Sequence, residues 1–235
     1  MLDRDAVERL IRESVERNKK GRREYLLFGK TLVSVKENVL PSINFNQIID
    51  KIEEIMPPHL FEEVDDIFVG SFSENDDRAL EAHYESGAIY ITSDLPSNHD
   101  YVENIVHETA HAIEGRHGLS IYGDKKIERE FLGKRERLEA RIRAEGYVVP
   151  AADFSDPEYS ANFDIFLYKD VGYEKLTNLT MGLFASPYAA TSLREYFANG
   201  FEEYFLGDRE YLPKICAQLF MKIEEIIEGE TNGYF

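Results

Sequence analysis

The sequence predicts an α+β fold that is mainly helical and contains a small mixed sheet. Short apolar runs between residues 66 and 91 have the length and composition of strands. Most of the remaining chain carries apolar residues at helical spacing. With 43% hydrophobic residues in a chain of 235, the protein can bury a core of its own, which fits one domain or one domain with an appended lobe.

The elements of the first half alternate between helix and strand. Residues 3–19 carry an apolar stripe at helical spacing, and residues 44–56 form a second helix that a proline pair ends. Three strands follow, at residues 67–70, about 79–84 and 88–91. We therefore expect an N-terminal helical lobe over residues 1–60 and a second domain over residues 61–235.

A third helix is predicted to begin near residues 98–100, and Gly115 stands where it should end. Its apolar residues recur with the helical period. Downstream, the pattern predicts a charged helix at about residues 124–145 and a loop-rich stretch at about 147–173. Two final helices follow, at about residues 191–206 and 209–229.

The third helix carries the pentapeptide His-Glu-Thr-Ala-His at residues 107–111. Positions i and i+4 of a helix share a face, so His107 and His111 can present two imidazole nitrogens to one zinc ion. Glu108 lies beside them and can take a proton from water at the metal. The alternative is two solvent-facing histidines on an amphipathic helix, which the motif and its downstream partners disfavour.

A catalytic zinc needs a third protein ligand, and two residues compete for this role. The single cysteine, Cys216, cannot build a thiolate site, so the ligand is a histidine or a carboxylate. His117 follows His111 by six residues, as in the extended metzincin pattern. That pattern has a glycine where this chain has Glu114, and the glycine comes one residue later.

The other candidate ligand is Glu195, which lies off the apolar stripe of the helix at 191–206. A local role for Glu195 is also possible, because Ser192 and Glu195 fit a helix capping box. A tyrosine, Tyr188, precedes Glu195 by seven residues, and Glu195 opens the run Glu-Tyr-Phe-Ala.

Together with the upstream pentapeptide, this arrangement resembles the anthrax lethal factor-like zinc metallopeptidases and the related Pro-Pro endopeptidases. The resemblance implies a zincin-type fold of the gluzincin kind. It also implies that His107, His111 and Glu195 are the zinc ligands. Glu108 would be the general base, and Tyr188 would donate a hydrogen bond to the oxyanion. This chain departs from the family in a longer segment between the two motifs, which the resemblance implies is an insertion at about residues 120–175. It also departs in Asn199, which replaces an acid that often supports a ligand histidine.

The expected function is therefore that of a zinc-dependent endopeptidase with one Zn²⁺ per chain, acting on an extended protein or peptide substrate. In zincins, an edge strand beside the metal receives such a substrate by β-augmentation. The alternatives are a peptidase-like zinc-binding regulatory protein, a metzincin-type peptidase that uses His117 as third ligand, and a helical interaction protein without a metal.

Charge and hydropathy restrict the partners and the location. A formal net charge of −18 argues against nucleic-acid binding, because a strongly acidic surface repels phosphates. Neither a secretory signal nor an apolar run of membrane-spanning length is visible in the sequence. These features predict a soluble protein that is cytoplasmic or exported without a cleaved signal, and no membrane partner.

Overall fold

The computed structural model describes residues 23–72, 81–149 and 151–229. The fold is α+β and mainly helical, with one five-stranded mixed sheet, as the sequence predicts. The helix predicted at residues 3–19 lies outside the described residues. The chain divides into two compact units after Thr109, whereas the sequence predicts a boundary near residue 60.

The first unit contains the sheet. Its strands are β1 (Arg23–Leu27), β2 (Thr31–Val35), β3 (Asp66–Val69), β4 (Ala82–Glu85) and β5 (Ala88–Ile91). Their order across the sheet is β1-β2-β3-β5-β4. The central pairs β2–β3 and β3–β5 are parallel, while β1–β2 and β4–β5 are antiparallel. The strands predicted at 67–70 and 88–91 are thus confirmed as β3 and β5, and β1 and β2 are additional.

Local turn and cap chemistry explains two features of this unit. Ser86 and Gly87 both have positive φ angles, 49° and 86°, which a two-residue type I′ hairpin between β4 and β5 requires. Helix α1 (Phe45–Ile55) begins at Asn44, whose side chain accepts hydrogen bonds from two backbone N–H groups of the first turn. The prediction of a helix at 44–56 is confirmed.

Helix α2 spans Asn98–Tyr122 and has a kink at His117, two residues beyond the predicted end at Gly115. A glycine without a positive φ remains compatible with a helix, and the one non-helical residue is instead His117, with φ −110° and ψ 15°. The helix ends where the N–H of Gly123 bonds the Leu119 carbonyl at 2.8 Å. A Cβ on Gly123 would lie 2.5 Å from that oxygen, so only glycine fits there.

The second unit begins within α2 and continues with α3 (Lys126–Ala144), the predicted charged helix. Two of its charged residues are buried instead of solvated. The Lys134 ammonium donates to the Leu183 and Ile215 carbonyls and lies 3.2 Å from the Cys216 sulfur. The Arg135 guanidinium lies over the ring of Phe163, 4.3 Å from its centroid.

The segment after α3 is helical, so the prediction of a loop-rich stretch at 147–173 is wrong. It forms α4 (Ala151–Ser155), α5 (Ala161–Ile165), a π-helical turn (Phe166–Gly172) and α6 (Tyr173–Thr180). Burial of Phe154 and Phe163 around the Arg135 guanidinium stabilises these short helices, and composition alone does not reveal such packing.

The final helices are α7 (Leu193–Leu206), α8 (Leu212–Ile215) and α9 (Ala217–Glu228). The helix predicted at 191–206 is confirmed as α7, and the one predicted at 209–229 is interrupted at Cys216, where φ is −133° and ψ is 58°. Helices α7 and α9 pack closely at Gly200 and Leu219. In the described parts of the chain, no helix combines the length and apolar character that crossing a membrane requires.

Candidate metal centre

Helix α2 brings the two motif histidines onto one face. His107 and His111 are one helical turn apart, and the apolar residues between and beside them, such as Val106 and Ala110, are fully buried. His111 is 9% exposed, and Glu108 is buried as well, at 7%. The polar residues of the motif therefore lie at the edge of the buried face and not in open solvent.

The first turn of α7 positions Glu195. The Ser192 hydroxyl caps the helix by accepting the Glu195 N–H at 3.1 Å, and the Leu193 N–H bonds the Pro157 carbonyl at 2.8 Å. The Glu195 side chain points to a histidine, with its Oε1 3.6 Å from His111 Nε2. The cap of Ser192 is thus present, and the Glu195 carboxylate lies at the predicted metal site.

His107, His111 and Glu195 form a cluster in which one possible ligand atom of each lies within 4.8 Å of the others. Two imidazole nitrogens and one carboxylate oxygen are a zinc donor set. Bond lengths of about 2.0–2.2 Å place tetrahedral zinc ligands roughly 3.4 Å apart, close to the 3.6 Å contact between His111 and Glu195. The residues therefore fit a zinc ion, and His117 is not part of this cluster.

A second carboxylate, that of Glu114, supports the cluster. It lies 3.4 Å from His111 Nδ1, accepts the Tyr122 hydroxyl at 2.5 Å, and accepts Arg194 Nε at 2.8 Å. The sequence patterns predict no role for Glu114, Tyr122 or Arg194. Helical spacing contains the signal, because Glu114 follows His111 by three residues and therefore shares its face.

The electrostatics of this group favour an ionised Glu114. Burial raises the pKa of its carboxyl, but the hydrogen bonds from His111, Arg194 and Tyr122 outweigh that effect, and the net pKa is lowered. Burial and the neighbouring Glu114 charge raise the pKa of Tyr122 well above its usual value. Tyr122 is therefore a neutral donor, and Arg194 supplies the opposing positive charge.

Tyr188 lies in the turn that leads into α7. It is the first residue of a short 3₁₀ helix, Tyr188–Ala190. Tyr188 is 39% exposed, which is unusual for a core tyrosine. The Ser186 hydroxyl fixes this turn, since it accepts the Ala189 N–H and donates to the Asn199 side-chain oxygen. Asn199 thus anchors the turn that carries Tyr188, through its hydrogen bond with Ser186. The sequence had suggested a different role for Asn199, namely the support of a ligand histidine.

The strand β4 forms an edge of the sheet among the described residues. Near it, the Asn104 side chain of α2 lies 3.4 Å from a Glu81 carboxylate oxygen, directly before β4. On β5, Tyr90 stacks on His83 with ring centroids 4.9 Å apart and contacts Phe72 at 5.1 Å. These contacts assign Tyr90 to strand packing within the sheet.

Comparison of the chain with protein-family models, curated proteins and solved structures gave no match.

Proposed function

We propose that this protein is a zinc-dependent endopeptidase of the gluzincin type. The observation that carries the proposal is the clustering of His107, His111 and Glu195, although 88 residues separate His107 from Glu195; Glu108, next to His107 in the chain, is buried as well. A two-histidine, one-carboxylate set leaves a fourth zinc position for water or substrate, which is typical of catalytic sites.

Glu108 is suited to act as the general base. The residue is 7% exposed, and among the described residues its carboxylate takes part in neither a hydrogen bond nor an ion pair. Structural carboxylates at this depth are normally paired, so an uncommitted one beside a metal site favours a chemical role. In the proposed reaction, a Glu108 oxygen takes a proton from the attacking water and later delivers it to the amine nitrogen that leaves.

When bound to His107, His111 and Glu195, zinc would supply Lewis acidity toward water and the scissile carbonyl. Tyr188 is assigned to the oxyanion, to which its hydroxyl would donate as negative charge develops on the carbonyl oxygen. Its partial exposure on a turn held by Ser186 and Asn199 supports this role. The substrate is a protein or peptide in extended form, and β4, which lies at an edge of the sheet among the described residues, is the strand to which such a substrate could add.

Metal content and the exchange of Glu108 test the proposal together. The purified protein should contain about one zinc per chain, and it should cleave members of a random peptide library. Glu108→Gln should retain the zinc and lose cleavage by orders of magnitude, because an amide cannot accept the proton.

Glu103→Gln is the matched control, since it makes the same change on the same helix and outside the cluster. It should keep both zinc and cleavage. A protein without zinc would refute the proposal. A zinc protein that cleaves no peptide would support the peptidase-like regulatory protein instead, and full activity of zinc-loaded Glu108→Gln would refute the mechanism.

A further inference from the structure

The Glu114 carboxylate joins residues of two helices around one ligand histidine. From α2 come His111 Nδ1 at 3.4 Å and the Tyr122 hydroxyl at 2.5 Å, and from α7 comes Arg194 Nε at 2.8 Å. The Glu114 side chain is only 6% exposed. A buried carboxylate with three donors is a defined acceptor site and not a solvated surface charge.

The contact with His111 sets the chemistry of the opposite ring nitrogen. When the proton of the imidazole lies on Nδ1, it points to Glu114, and Nε2 then carries the lone pair. This Nε2 is the atom that lies 3.6 Å from Glu195 Oε1. A carboxylate on the far side of a ligand imidazole also raises its basicity and fixes the plane of its ring.

The contact with Arg194 links the same carboxylate to the helix that carries Glu195. Arg194 precedes Glu195 in the first turn of α7, where the helix dipole disfavours a cation. The Glu114 carboxylate offsets this effect, because its negative charge lies within hydrogen-bond distance of the Arg194 guanidinium, at 2.8 Å from Nε. One carboxylate thereby restrains both His111 and the backbone next to Glu195.

We propose that Glu114 is a positioning residue for the zinc ligands His111 and Glu195, an inference that rests on the proposed zinc site. Glu114 orients the His111 ring directly and holds the start of α7 through Arg194. Its loss should therefore weaken the affinity for zinc by about 10–100-fold, as is common for such supporting carboxylates.

The test compares three variants by chelator competition for Zn²⁺ at one pH, with thermal unfolding of the metal-free proteins measured in parallel. Glu114→Gln keeps the side-chain length but removes the charge and presents an amide NH₂ to one of its donors. Glu114→Asp keeps the charge and withdraws the oxygens by one methylene. The control, Tyr122→Phe, removes one donor to the same carboxylate and leaves its charge and its contact with His111.

Both Glu114 variants should bind Zn²⁺ about 10–100-fold more weakly than the wild type, and Tyr122→Phe should stay within about threefold. The absorption spectrum of bound Co²⁺ should change with Glu114→Gln and not with Tyr122→Phe. Equal zinc affinity in all variants would overturn the inference, as would losses that only follow the thermal midpoints. A wild type that binds no Zn²⁺ would refute the proposed function itself, and the inference with it.

Discussion

Replacing Gly200 by alanine tests how closely α7, the helix that carries Glu195, packs against α9. A Cβ at position 200 would lie 2.2 Å from Leu219 Cδ2 and 2.9 Å from its Cγ. Leu219 is fully buried, so its side chain has no solvent into which to move. By contrast, a Cβ at Gly133 in the interior of α3 would have nothing within 4 Å. Gly133→Ala is thus the matched control.

The expected magnitudes follow from these distances. In both helices, alanine gains about 0.5–1 kcal/mol over glycine through backbone entropy. At Gly200 the new methyl must move Leu219 about 1 Å or more to reach normal carbon contact distances. Overpacking of this kind costs about 1–3 kcal/mol, and the large displacement indicates the upper end. Gly200→Ala should therefore destabilise by about 1–2 kcal/mol, and Gly133→Ala should stabilise by about 0.5–1 kcal/mol.

Thermal and urea unfolding of the metal-free proteins measure both effects, at roughly 2–4 °C per kcal/mol for a chain of this size. In a Leu219→Ala background the clash disappears, so adding Gly200→Ala should no longer destabilise, which gives a coupling free energy of about 2–3 kcal/mol in the double-mutant cycle. If Gly200→Ala stabilises the protein as much as Gly133→Ala does, α7 and α9 do not pack as closely at Gly200 and Leu219 as described.

The remaining predictions concern the metal centre. Glu195→Ala should remove most of the zinc affinity in chelator competition, whereas His117→Ala should leave it nearly unchanged; the reverse result would establish the metzincin alternative. Tyr188→Phe should lower kcat about 10²–10³-fold with little change in KM, zinc content or thermal midpoint, because its hydroxyl acts only in the transition state. Unchanged kcat with a lower midpoint would assign Tyr188 a purely structural role. Zinc at a hundredfold excess over its Kd should stabilise the wild type by about 2.7 kcal/mol and Glu195→Ala by almost nothing, as scanning calorimetry can measure.

Sequence patterns predicted the elements whose signals are local. The helices α1, α2, α3 and α7 have clear periodicity, and the strands β3 and β5 are compact apolar runs. Strand β2 was missed, although Thr31–Val35 is rich in β-branched residues, because it depends on the long-range parallel pairing with β3. Pairing partners so distant in the chain leave no local pattern.

The same distinction holds at the metal centre. The cluster of His107, His111 and Glu195 was predicted by motif and resemblance, and the structure brings these three residues together. The support from Glu114 was missed because it depends on Arg194, which lies 80 residues further along the chain. In the sequence, Glu114 stands where the metzincin pattern has a glycine, and its spacing from His111 indicates a shared helix face but not the burial of its carboxylate or its contact with Arg194.

The buried thiol of Cys216 can report how often the second unit opens locally or unfolds. It is the chain's only cysteine, it is fully buried between α8 and α9, and burial raises its pKa. A thiol-labelling reagent can therefore react only during excursions that expose this site, and the labelling rate reports how often they occur. Cys216 belongs to the same compact unit as His111 and Glu195. An occupied metal centre should consequently slow the modification of a sulfur atom that never touches the ion.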